Sequence, residues 1–222
     1  MTTQSAMYQA LIDRIFPVKY QGCLPNAFRA AYRAVDQVLE TVTFLKEPTG
    51  LQLRGDLIGA AVDYQMTALM KTGQIPEGFR FTPNRRRTAD HLEVLFDECL
   101  VTISQVAVPA AFPRFAFFRD ALRMTNQLCL PMPELGEAYD SSAKPHIVIT
   151  HGYRRLDFIR IGLPDHKRRE WLHQKPLMSA KADGSNHSLI VETPLIQDHA
   201  FVTLKRSVER ELEQRLDEDV AG

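Results

Sequence analysis

The sequence predicts an α+β fold: N-terminal helices packed on a mainly antiparallel β-sheet and closed by a C-terminal helix. Three observations carry this. Apolar residues recur at helical spacing as far as residue 71; from Phe79 they alternate in short runs; from Leu204 the helical spacing returns. No regular strand–helix–strand alternation appears, which argues against a doubly wound sheet.

Met7, Leu11 and Ile15 make the first helical stripe, and Pro17 ends it because proline lacks the N–H the ladder needs. Residues 18–25, with Gly22 and Pro25, read as a connector. Asn26 suits an N-cap, and Phe28, Ala31, Tyr32, Val35, Val38, Leu39 and Val42 keep a three–four spacing as far as Pro48. A third helix is expected from Asp56 to Lys71, with Gly73 in the left-handed closing position.

Phe79–Phe81 then reads as a strand, and Leu92–Phe96 with Val101–Gln105 as a hairpin around Asp97–Glu98. A short helix is expected near Phe115–Met124, and a loop at 131–145. His146–Thr150 and Leu156–Ile161 read as strands. Asp165 is placed to cap a short helix through Trp171. Ser188–Glu192 reads as a last strand, and Leu204, Val208, Leu212 and Leu216 as the closing helix. The change of period sets a helical part, 1–78, against a β-rich part, 79–222, expected to form one compact unit.

The chain has 222 residues, 45% apolar and 24% charged, enough to bury a core without metal or disulfide staples. Cys23, Cys99 and Cys129 form no C-x-x-C pair, and their spacing suits reduced thiols. No secretory leader and no run of ~18 apolar residues is visible, so a cytoplasmic protein with no membrane contact is expected.

The net charge of zero hides an asymmetry. Residues 79–181 carry sixteen basic against eleven acidic groups, and residues 182–222 carry four against nine. Three basic clusters fall at expected loops: Arg85-Arg86-Arg87, Arg154-Arg155 and Lys167-Arg168-Arg169. If the loops converge they make a positive face for nucleic acid or an acidic protein, with Tyr153, Phe115 and Trp171 near in sequence to stack on bases. The acidic end allows masking of that face or association between copies, a homo-oligomer included. Phe112, Phe115, Phe117 and Phe118 are interleaved with Arg114, Arg119 and Arg123; the rings are expected to fill the core while the arginines face water.

His151 follows an apolar strand and precedes Gly152, and is expected at a sheet end open to solvent. With Arg154 or Arg155 as an anion clamp it would serve a phosphodiester hydrolase as general base. Arg86–His91 and Arg168–His173 each spell R-x-x-x-x-H, which resembles the motif of helical ribonucleases that cut RNA without metal. Those six residues name no family for a chain of 222. No phosphate-binding glycine loop, nucleophile elbow or metal-ligand spacing occurs, so no cofactor and no metal are expected. The leading expectation is a regulatory or interaction module with a basic loop face; a nuclease-like hydrolase and a protein-assembly subunit are the alternatives.

Overall fold

The computed structural model describes residues 3–129 and 144–179, all within a single compact unit. Its architecture is the expected one: N-terminal helices cover a six-stranded, mostly antiparallel sheet of order β1-β2-β3-β4-β5-β6. The last expected strand and the closing helix lie outside the described residues.

Helices α1 (Thr3–Ile15), α2 (Val18–Thr41), α3 (Pro48–Gln52) and α4 (Arg54–Lys71) come first, with a 3-10 turn at Thr43–Lys46. The connector expected at 18–25 is instead the first two turns of α2. Pro25 inside a helix forfeits a backbone bond at a cost of ~3 kcal/mol. Tyr20, Leu24 and Phe28 offset it by extending the apolar stripe into the core, each side chain contributing ~1.5–3 kcal/mol. Asn26 therefore caps nothing; its side-chain oxygen accepts from Arg29 at 3.1 Å. α2 already ends at Thr41, so Pro48 opens α3 and does not stop α2. Gly73 closes α4 with φ +72°, as its position predicts.

Strands β1 (Gly78–Pro83), β2 (Asp90–Leu95) and β3 (Leu100–Val106) form an antiparallel meander. Helix α5 (Phe117–Cys129) crosses over to β4 (His146–Gly152), which pairs in parallel with β3. β5 (Phe158–Pro164) and β6 (Trp171–Ser179) complete the sheet with antiparallel pairs. The helix expected from Asp165 is absent. The Asp165 carboxylate does accept the N–H groups of Lys167 (2.6 Å) and Arg168 (3.0 Å), but they close a loop, and the chain then runs into β6. β6 hides from a period-two search because Leu172 and Leu177 are extra residues at shifts of register, and Pro176 is tolerated because β6 is an edge strand.

One face of the sheet is apolar. Leu92, Val94, Val101, Ile147, Ile149, Ile159 and Ile161 pack there with Phe28, Ile58, Val62 and Ile75 of the helical part in one continuous cluster. That cluster runs across the change of period near residue 78. Side chains alternate along a strand, so the other face belongs to His91, Glu93, Thr102, His146, Thr150 and Arg160. Helix α5 covers that face, with Phe118 stacked on His91 at 3.5 Å and 17°. No helix among the described residues is long and apolar enough to cross a membrane.

Candidate nucleic-acid interface

The register decides which basic clusters meet. β1 and β4 run in the same direction, so the β1–β2 loop with Arg85, Arg86 and Arg87 lies at the same sheet end as the β4–β5 turn with Arg154 and Arg155. Three strand spacings separate the two hairpins, about 14 Å. The β5–β6 loop with Lys167, Arg168 and Arg169 lies at the opposite end. The three clusters therefore do not form one face.

What joins the first two is the segment before α5. The Arg85 guanidinium lies 5.2 Å from the centre of the Phe117 ring, and Phe117 meets Phe115 edge to face at 5.1 Å. Arg114, the next residue, lies 6.0 Å from the centre of the Tyr153 ring, and Tyr153 adjoins Arg154 and Arg155. Arginines and aromatic rings thus intersperse in a ribbon from one hairpin to the other. Phe115 is 55% exposed, Phe117 56% and Tyr153 41%.

Both ends of the ribbon are built, not loose. Asn84 closes the β1–β2 loop: its side-chain oxygen accepts from Thr88 N–H at 3.0 Å, and its backbone oxygen accepts from Arg87 N–H at 2.9 Å. Arg87 there holds a left-handed φ of 54°, uncommon for a residue with a Cβ. At the other end Arg54 of α4 donates to the Arg154 carbonyl at 3.2 Å while paired with Asp36 at 2.5 Å. Tyr153 packs on the bare backbone of Gly55, where an added Cβ would sit 3.1 Å from the ring. Asp157, 3.7 Å from Arg155, is the acidic neighbour paired with this end of the ribbon.

The expected assignment of the Phe and Arg groups around α5 holds for Phe112 and Phe118, which pack, and for Arg114, which is exposed, and is reversed for the rest. Phe115 and Phe117 face water, while the Arg123 side chain is only 13% exposed. Arg123 pairs with Asp120 at 2.7 Å and donates to the carbonyls of Asp165 and His166, tying α5 to the β5–β6 loop. Arg119 is half-buried, donates to the Arg114 carbonyl at 2.9 Å, and leaves its Nε without a partner among the described residues. The reason is the sheet beneath, whose face here is polar. The signal existed in the alternation of His91, Glu93, Thr102 and His146 with apolar neighbours. It required knowing which face α5 covers. Trp171, expected to be free for stacking, packs against Phe112 and over Gly162.

His151 does not open to solvent. It is 1% exposed on the apolar face, where its ring meets Phe28 and Tyr32. The Tyr32 hydroxyl donates its one hydrogen to the Gly152 carbonyl, so it accepts from His151 Nδ1–H at 2.7 Å. Burial pushes the His151 pKa down to about 3, and the ring is neutral. In this setting it joins strand β4 to helix α2, and Arg154 and Arg155 lie out of the apolar layer on the turn beyond. The R-x-x-x-x-H strings run from a loop into β2 and from a loop into β6, so neither is helical. Cys99 is fully buried, and burial raises its thiol pKa and that of Cys23. Among the described residues no three of His, Cys, Asp and Glu gather to hold a metal ion.

Comparison with protein-family models, with curated proteins and with solved structures yields no match to this chain, so the interface stands on its own geometry.

Proposed function

We propose that this chain is a binding module for single-stranded nucleic acid, and that the ribbon Arg85–Phe117–Phe115–Arg114–Tyr153–Arg154 is its contact surface. The observation that carries the reading is the mixture itself: half-exposed rings flanked by guanidinium groups along one sheet end. Exposed Phe rings lose hydration free energy unless something covers them. A base has an apolar face for a ring and a phosphate for an arginine, at a repeat a ribbon can match; an unpaired strand offers both without a duplex to open. Arg86, Arg87 and Arg155 flank the ribbon and add to its field. An acidic protein segment would use the arginines but leave the rings without flat partners.

The test is fluorescence anisotropy with labelled oligothymidylate and oligouridylate at low salt. Binding is expected, with Phe115→Ala or Phe117→Ala weakening it ~5–100-fold, the range for one lost stacking contact. Binding that is absent at low salt, or indifferent to both Phe115→Ala and Arg114→Ala, overturns the reading.

A further inference from the structure

Behind the ribbon, α5 and the segment leading into it enclose a second basic feature. Arg114, Phe115, Arg119, Arg123, Arg169 and His146 line an open-sided pocket whose water-sized core is about 20 Å³. A water needs ~10–15 Å³ by that measure, so the enclosed part of the pocket admits about one oxygen-sized group and excludes a nucleobase.

Its charge is unbalanced. Asp120 is the one carboxylate in the wall, and it is engaged by Arg123. Arg169 donates to the Pro113 carbonyl at 2.7 Å and packs over Phe112, and neither it nor Arg119 has a carboxylate within ion-pair distance among the described residues. The floor is His146, 1% exposed, whose Nε2 meets the Thr102 hydroxyl at 2.9 Å and whose Nδ1 has no partner among the described residues. If Thr102 donates to Nε2, Nδ1 carries the proton, so two residues of the pocket wall, His146 and Arg119, each hold a buried N–H with no acceptor among the described residues. Buried donors without acceptors are costly, and these two belong to the wall of one pocket together with the Arg119 and Arg169 guanidinium groups.

We infer that this pocket seats a phosphate monoester, the terminal phosphate of a nucleic-acid strand lying on the ribbon. Fixed donors and two guanidinium groups with no carboxylate partner among the described residues suit a dianion that sets one oxygen into the pocket from its open side. Arg114 and Phe115 belong to both surfaces, so a strand on the ribbon ends at the pocket mouth. The identity of the carrier rests on the reading above; the phosphate seat does not.

The experiment uses the full chain with short oligothymidylates bearing a 5′-phosphate, a 3′-phosphate or neither, and inorganic phosphate in a parallel calorimetric titration. One phosphorylated strand is expected to bind roughly tenfold tighter than the unphosphorylated one. Arg119→Gln should abolish that gain while leaving the unphosphorylated strand bound as before. Arg169→Gln serves as a second variant should the first unfold, with melting curves for both. If strands bind with no gain from either phosphate, or if both folded variants keep the gain, the pocket inference fails and the ribbon stands. If no strand binds but inorganic phosphate does, and Arg119→Gln loses it, the pocket stands as a site for free phosphate and the ribbon fails. If neither binds, both fail.

Discussion

Two histidines on one strand show how little a residue's type says without its face. His146 and His151 are five apart on β4, so they project to opposite sides of the sheet. Both are 1% exposed, and burial pushes both down to about pKa 3. His151 ends in the apolar layer with Nδ1–H satisfied by Tyr32; His146 ends on the polar face with Nδ1 unsatisfied. The sequence made His151 the interesting one because of its neighbours Gly152, Tyr153 and Arg154. Alternation places Ile147, Ile149 and His151 together, and that alone pointed to the core. The Tyr32–His151 contact was not legible, because it joins residues 119 apart. Tyr32→Phe removes the acceptor of His151 Nδ1–H and the donor to the Gly152 carbonyl together. Two buried groups lose partners at ~1–3 kcal/mol each, so a loss of about 2–6 kcal/mol is expected in urea denaturation. A loss below about 0.5 kcal/mol would mean that these bonds do not hold β4 to α2.

Among the elements, those with a strong period were legible and those shaped by contacts were not. α4 and its Gly73 stop follow from local sequence, as do β1 to β5. The start of α2 and all of β6 do not: α2 overrides Pro25 because the core rewards Tyr20 and Leu24, and β6 keeps its place through two register shifts. The β4–β5 turn lies between these cases. Gly152 was read as a turn residue, and the structure shows why no other fits: a Cβ there would lie 1.9 Å from the Arg155 carbonyl oxygen, a backbone atom that cannot step aside. Gly152→Ala must therefore open the turn that carries Tyr153, Arg154 and Arg155. A destabilisation of about 1–3 kcal/mol is expected, as for overpacked sites. With it should come weaker oligonucleotide binding than in wild type at a temperature where both are folded. Wild-type stability in the alanine variant would show that the turn has a second conformation with room for the methyl group.

At the scale of the whole molecule the sheet separates two chemistries, and acid should act on both. The apolar face carries His151 and the polar face His146, each neutral in the fold and free to protonate when unfolded. Their folded pKa values lie below the unfolded value of ~6.5, so below that pH the unfolded chain binds more protons and stability falls as pH falls. Above pH ~6.5 neither contributes; between there and pH 3 each costs ~1.4 kcal/mol per pH unit. From pH 7 to pH 5 the pair therefore costs about 4 kcal/mol. His91 and His173, also lowered by burial, act in the same direction. Asp63 acts against them: burial raises its carboxyl to about 6, so the fold takes up that proton first and regains about 1 kcal/mol by pH 5. A net loss of about 3 kcal/mol is a large share of the ~5–15 kcal/mol typical of a domain. Urea midpoints measured at pH 7, 6 and 5 should fall steadily, and His151→Gln should flatten the decline by removing one of the two titrations. Midpoints that hold level or rise toward pH 5 would mean that one of these rings is reached by water and protonates inside the fold. His146 is then the one to examine, because a ring that takes a proton at the floor of the arginine pocket would bind phosphate more tightly in acid.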